Sequence, residues 1–409
     1  VEAPNLTRTI SALAAFCLAC TPAKRPAPTA AAPSNTVAAE SPLGSAVART
    51  PSARPETSAP TARQGCGMPA SLVARGWPTE LTPTSTVEAP LFVPGATTLV
   101  VLPDTQYYAD CESRHLSDQT RWVAEQAKSR NVRGVLTLGD LTDKNSEREW
   151  RYVKSGVGLV ENAAPVVLVT GNHDLGDRGT ANRRQSLLQK FFPDPPGQAK
   201  QALAATARPG DIENAYYRIA LPRVTLGVLS LEWSPRSASV AWANDVLGRY
   251  AQDRVIVLTH AYLYEDGSRY DWWKKGAKQE WNPLAYGTGQ KDTREPTTRA
   301  NLNAEGALDG EMLWNDLVKR HRGIFLVVSG HVLGRGAALL ESRGEAGNAV
   351  LQVLVNFQML KDGGLGYLRL LELLPDGKTL RQKTYSPTLG VFATGPEQSG
   401  ELVIDPPLW

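Results

Sequence analysis

Five short clusters in the chain hold residue types that bind cations or move protons, and each directly follows an apolar run. They are Asp104-Thr105-Gln106, Gly139-Asp140, Gly171-Asn172-His173-Asp174, Thr259-His260 and Gly330-His331. Singly, each has an ordinary explanation, because Gly, Asn and Asp favour turns and a histidine at a strand end is usually a satisfied polar residue. Together and in this order, neutral nitrogen ligands mixed with hard oxygen ligands suit Mn, Fe or Zn. A cation of that kind lowers the pKa of bound water toward ~7 and neutralises nearby anionic oxygens, the chemistry of metal-assisted hydrolysis.

The clusters act together only if the fold gathers them. The runs before the first three, at 97–103, 132–140 and 165–174, are short, β-branched and stopped by Pro, Gly or polar residues, so they predict buried strands. Between them, 116–130 and 147–162 carry helical periodicity, with Ser117 as the expected cap of the first helix. Strand and helix in alternation predict right-handed parallel units, and the carboxyl ends of such strands line one crevice. Further apolar runs at 223–231, 255–259 and 324–329 precede the later clusters. After His331 the stretches AALLES, AVLQVLVNF and YLRLLELL are separated by Gly-rich turns, and Asp376-Gly377 predicts a hairpin into TLRQKTYS. The second half therefore reads as a largely antiparallel sheet packed on the first, with helices outside.

The ordered motifs D-x-Q, GD, GNHD, H and GH resemble those of the calcineurin-like metallophosphoesterases over roughly 97–387. The stretch THAYLYEDGSRYDW at 259–272 is similar to a branch of that family with D-T-Q and G-H-V motifs. The resemblance implies an α/β fold, a four-layer α-β-β-α sandwich of two mixed sheets. It also implies two metal ions that share one aspartate, Asp140, with Asn172, His260 and His331 completing one shell and Asp104 starting the other. Two positions depart from the family pattern. Gln106 replaces the usual histidine and offers an amide oxygen, and Leu333 replaces the second histidine of G-H-x-H. One shell is thus complete and the other weaker, for one or two divalent or trivalent ions of Mn, Fe or Zn.

His173 falls at the family's general-acid position, oriented by Asp143 or by Asp174. Arg335, between Gly334 and Gly336, is either a phosphate contact or a solvated turn arginine. The activity implied is metal-dependent hydrolysis of a phosphate mono- or diester. The alternative is a non-catalytic or single-metal binding protein that keeps the fold. The aromatics Tyr262, Tyr264, Tyr270, Trp272, Trp273 and Trp281, with Trp233 and the cations Arg269, Lys274 and Lys275, form either a substrate wall or packing onto the body. His115 is expected to be solvated, and His321 to sit at a helix end where positive charge is favoured.

The first 65 of the 409 residues are of another kind. Residues 10–19 are a short apolar run after Arg8, too short to span a bilayer, which predicts a signal peptide over 1–19. Leu18-Ala19-Cys20 resembles a bacterial lipobox, so the expected product is a cell-envelope lipoprotein anchored through lipidated Cys20, or else a secreted protein. Residues 20–65 are dominated by Pro, Ala, Ser and Thr and predict a disordered spacer. Residues 66–96 form an N-terminal extension, 97–390 the phosphoesterase domain, and 391–409 a tail packed on it. Either exported form sits in an oxidising compartment, which favours a Cys66 to Cys111 disulfide over two unpaired buried thiols. With 44 basic and 41 acidic residues the formal charge is only +3, which excludes binding driven by the nucleic-acid backbone.

Overall fold

The chain, a computed structural model, describes residues 75–76, 78–81, 84–85, 92–286, 306–332 and 334–409, all within the unit Pro60–Trp409. Residues 1–74, with Cys20 and Cys66, lie outside the described residues, as does Leu333. The strands are β1 (Thr84–Ser85), β2 (Thr97–Leu102), β3 (Val132–Thr137), β4 (Val166–Val167), β5 (Leu203–Thr206), β6 (Ala215–Ala220), β7 (Thr225–Ser230) and β8 (Arg254–Leu258). They continue as β9 (Ile324–Ser329), β10 (Ala337–Arg343), β11 (Ala349–Val355), β12 (Leu368–Leu373), β13 (Thr379–Ser386), β14 (Val391–Ala393) and β15 (Ser399–Val403). The longer helices are α1 (Gln106–Cys111), α2 (His115–Gln126), α3 (Glu147–Gly158), α4 (Ser237–Arg249) and α5 (Gly310–Asp316).

Two mixed sheets stack with helices outside. The first runs β1-β14-β13-β12-β2-β3-β4, with β15 also on β13, and the second runs β10-β11-β9-β8-β7-β6-β5. Strands β2, β3 and β4 pair in parallel, as do β7, β8 and β9. Alternation within β2 explains the layering: Leu99 and Val101 enter the core between the sheets, whereas Val100 and Leu102 meet the helical layer of Val123, Trp150 and Val153. Strand β8 repeats the pattern, with Ile256 and Leu258 between the sheets and Val255 and Val257 against Val240, Ala243 and Leu247 of α4. Full burial of each such aliphatic side chain contributes about 1.5–3 kcal/mol, so a strand covered on both faces needs no polar stripe. Helix α3 starts at a capping box in which Ser146 and Glu149 satisfy each other's backbone N–H groups.

Several expectations are corrected. Helix α2 begins one residue before the predicted start, and Ser117 is no cap, because its hydroxyl donates back to the Arg114 carbonyl at 2.8 Å. The third run is a strand only at Val166–Val167, since beyond it the Val169 N–H donates to the Thr137 hydroxyl at 3.0 Å instead of to a ladder. The strands after His331 do not make one sheet. The β10–β11 hairpin joins β9 in the second sheet, while β12 pairs antiparallel with β2 in the first. The chain crosses between the sheets through residues 362–366, all at positive φ. Residues 391–409 supply β14 and β15 to the first sheet. Among the described residues no helix is long and apolar enough to cross a membrane.

His115 is buried, not solvated, with Nδ1 at 3.1 Å from the Thr388 hydroxyl. His321 follows a short 3-10 turn, is half-buried, and places Nε2 at 2.7 Å from Asn244 Oδ1. Burial lowers the pKa of both, so neither uses positive charge against a helix dipole.

Candidate metal centre

The loops after β2, β3, β4, β8 and β9 meet at one end of the two sheets, as parallel strand ends do. Asp104, Gln106, Asp140, Asn172, His260 and His331 are all buried there. Glycines make the approach possible. A Cβ at Gly171 would collide with Asp140 Oδ1, and one at Gly330 would collide with Asp104 Oδ1, so the residue before Asn172 and the residue before His331 must be small. Asp140 and His331 themselves take positive φ, a strained setting held by the surrounding contacts.

Backbone carbonyls fix the histidines. His260 Nδ1 donates to the Leu138 carbonyl at 2.6 Å, and His331 Nε2 donates to the Trp281 carbonyl at 2.8 Å. The remaining nitrogens, His260 Nε2 and His331 Nδ1, face each other at 3.1 Å, and His260 Nε2 stands 3.2 Å from Asp140 Oδ2. Ligand atoms of Asp140, His260 and His331 all lie within 4.8 Å of one another. Two imidazole lone pairs this close require a proton or a cation between them. Burial disfavours the charged form of His260, but the carboxylates of Asp140 and Asp104 outweigh it and raise its pKa to about 9. His331, buried and beside His260, is pushed down to about 3.

The oxygens tell the same story. Asp104 Oδ1, Gln106 Oε1 and Asn172 Oδ1 are buried and accept no hydrogen bond. Unmet buried acceptors are costly, on the order of 1–3 kcal/mol each, and three of them on loops at the same sheet end as the histidine pair suit a cation. Hard oxygens with imidazole nitrogens form the donor set expected for Mn, Fe or Zn. Asp140, His260 and His331 thus fit a metal ion, with the three unmet oxygens as further hard donors at the same sheet end.

His173 sits beside this cluster. Its backbone N–H donates to Asp140 Oδ1 at 2.8 Å, and its Nδ1 lies 2.9 Å from the Asp143 carbonyl and 3.4 Å from Asp143 Oδ1. Gln106 Nε2 approaches the same carboxylate at 3.4 Å. Asp174 does not touch the His173 ring. Its buried carboxylate accepts from Gly171 N, Leu141 N, Thr142 N and the Thr142 hydroxyl, tying the GD loop to the GNHD loop. Of the two predicted orienting residues the geometry favours Asp143. A second acidic group, Asp110, Asp143 and Glu149, is already served by a cation, with Lys144 Nζ at 2.9 Å from Asp143.

A model of the calcineurin-like phosphoesterases matches residues 97–335. The chain belongs to that family. Its relatives include an uncharacterized protein of Bacillus subtilis (strain 168), YvnB, 24% identical over 296 residues, a match of 71% of this chain. The chain spans only 20% of the length of that curated relative. Similar solved structures include a dimetal phosphatase from Danio rerio, with 14% identity, TM-score 0.44 and coverage of 76% of this chain and 99% of the other. A purple acid phosphatase, PPD1, from yellow lupin seeds has 12% identity, TM-score 0.42 and coverage of 78% and 55%.

In this calcineurin-like phosphoesterase Arg335 and the aromatic segment take the second of the two roles expected for each, a turn arginine and packing onto the body. Arg335 is exposed, next to a glycine packed against Glu265, and not in the ligand cluster. Trp233, Tyr262 and Tyr270 are fully buried, and Trp233 packs 5.4 Å from His260 and 5.0 Å from His331, ring centre to ring centre. Arg269 is braced on Glu311 at 2.7 Å and Gln352 at 2.8 Å. The aromatic segment therefore backs the histidines, and only Trp273 is largely exposed. Sequence reasoning missed Asn356, whose Nδ2 donates to Asp104 Oδ2 at 2.9 Å. Its only signal was its place directly after an apolar strand, the same place the predicted ligands hold.

Proposed function

We propose that the chain hydrolyses phosphate esters, mono- or diesters, at a centre of one or two metal ions held by Asp104, Gln106, Asp140, Asn172, His260 and His331. The observation that carries this reading is the pair of buried imidazoles whose free nitrogens stand 3.1 Å apart beside Asp140, with three orphaned buried oxygens on loops at the same end of the sheets. When bound, Mn, Fe or Zn supplies an acidified water and charge neutralisation at the phosphoryl oxygens. The chain's own residues do the rest. Leu138 and Trp281 hold the ligand tautomers through their carbonyls. The Asp143 carbonyl holds the His173 Nδ1–H, so Nε2 of the doubly protonated ring gives its proton to the departing alkoxide and the ring is left neutral.

The same reading includes an exported protein, tethered through lipidated Cys20 by the Pro-rich spacer, with Cys66 bonded to Cys111. Its support is the sequence of the first 65 residues. Mass spectrometry of the chain from a bacterial envelope, with and without reduction, tests the lipid and the disulfide. A panel of aryl phosphate mono- and diesters with metal-reconstituted chain tests the activity. Hydrolysis that needs added Mn, Fe or Zn supports it, and absence of hydrolysis and of metal binding with all three overturns it.

A further inference from the structure

We infer that Asn356 is a positioning residue for the metal centre: it locks the Asp104 carboxylate so that Oδ1, and not Oδ2, faces the cation site. This rests on the metal-dependent reading above. The family match ends at residue 335, so Asn356 lies beyond it.

Asp104 Oδ2 accepts from two fixed donors, the His331 backbone N–H at 3.0 Å and Asn356 Nδ2 at 2.9 Å. Two such donors saturate one carboxylate oxygen, and the other, Oδ1, is left buried and unpartnered. Asn356 is itself held from several sides. Its Oδ1 accepts from Gln358 N at 2.9 Å, which orients the amide with Nδ2 toward Asp104. Its backbone N–H donates to the Gly336 carbonyl at 2.8 Å, and the side chain is 3% exposed. Gly336 has φ +72°, and a Cβ there would strike the Asn356 carbonyl, so the brace requires glycine.

The β10–β11 hairpin thus carries a donor from the second sheet to a carboxylate hung from β2 in the first. Without it, Asp104 keeps one donor and its two oxygens become nearly interchangeable. Partners that orient a metal ligand in this way are worth about 10–100-fold in metal affinity.

The test is calorimetric titration of the full chain, stripped with chelator, with Mn2+ alone. Asn356→Ser keeps a hydroxyl that can accept from Gln358 N but cannot reach Asp104. The expected result is Mn2+ binding weaker by about 10–100-fold with an unchanged apo unfolding midpoint. Ester hydrolysis by the variant should recover as Mn2+ is raised, a rescue that a merely structural defect does not show. Unchanged Mn2+ affinity in folded Asn356→Ser overturns the inference. So does failure of both Asn356→Ser and Asn356→Ala to fold, because a positioning role leaves the apo fold intact. If the parent chain binds none of Mn2+, Zn2+ and Fe2+ the metal-dependent reading fails as well, whereas a parent that binds and hydrolyses beside an indistinguishable variant removes only the role of Asn356.

Discussion

His260 Nε2 and His331 Nδ1 face each other at 3.1 Å, each ring pinned at its other nitrogen by a backbone carbonyl. Neither ring can turn away without leaving a buried carbonyl unpaired, so the pair is built to share something positive. Asp140 Oδ2, 3.2 Å from His260, adds the negative charge that makes a divalent ion preferable to a proton.

Removing a member of this set should abolish turnover. For His331→Ala and Asp140→Ala we expect aryl phosphate hydrolysis to fall on the order of 10³-fold, since a metal ligand underwrites several kcal/mol of transition-state stabilisation and each 1.4 kcal/mol is tenfold. Steady-state rates with saturating Mn2+ check this. Parental rates in both variants would sink the metal-dependent reading.

Asp143 and Asp174 should separate by phenotype. Asp143→Asn keeps the backbone carbonyl that holds His173 Nδ1 and removes only the carboxylate charge beside the ring, so kcat should drop by no more than about tenfold with little change in stability. Asp174→Ala strands four buried donors, of Gly171, Leu141 and Thr142, and should cost about 3 kcal/mol or more in urea unfolding. The reverse pattern would show that Asp174, and not Asp143, serves the acid.

Much of the site was legible because its signals are local. Each ligand follows a buried strand, and each Gly before a ligand answers a steric demand that any fold gathering these loops must meet. Contacts between distant segments left no such trace. Asn356 reaches Asp104 across 252 residues and from the other sheet, and a lone Asn after an apolar run does not announce its partner. The split of the C-terminal strands was hidden for a similar reason. Near-continuous apolar runs in β11 and β12 specify two covered faces, but not that one strand joins β9 and the other β2. His115 was misread because its neighbours Ser113, Arg114 and Ser117 are polar, whereas its burial comes from Thr388 and Tyr108.

Metal should stabilise the fold, because the orphaned oxygens and the paired imidazoles exist only in the folded state. Mn2+ at 100 times its dissociation constant adds about 2.7 kcal/mol by mass action. Scanning calorimetry of chelator-treated chain should show a midpoint that climbs as Mn2+ is added, and that does not climb in Asp140→Ala. A midpoint indifferent to Mn2+, Zn2+ and Fe2+ alike would remove the case for a resident ion.

Acid should weaken the protein through histidines outside the site. Burial holds the pKa of His115 below the ordinary 6.5, with Asp362 and Asp118 only partly opposing, and burial with Arg320 does the same to His321. The unfolded chain therefore takes up protons at these positions as pH falls through 6.5, while the folded chain resists until lower pH. With more protons bound in the unfolded state, stability present above pH 6.5 is lost on acidification. Urea midpoints measured between pH 7 and about 5 should fall. The double variant His115→Gln, His321→Gln, which keeps hydrogen-bonding groups toward Thr388 and Asn244 but cannot titrate, should fall less steeply. The metal-site histidines are common to both proteins, so the difference in slope isolates the two buried rings, and equal slopes would rule them out as the acid-sensitive element.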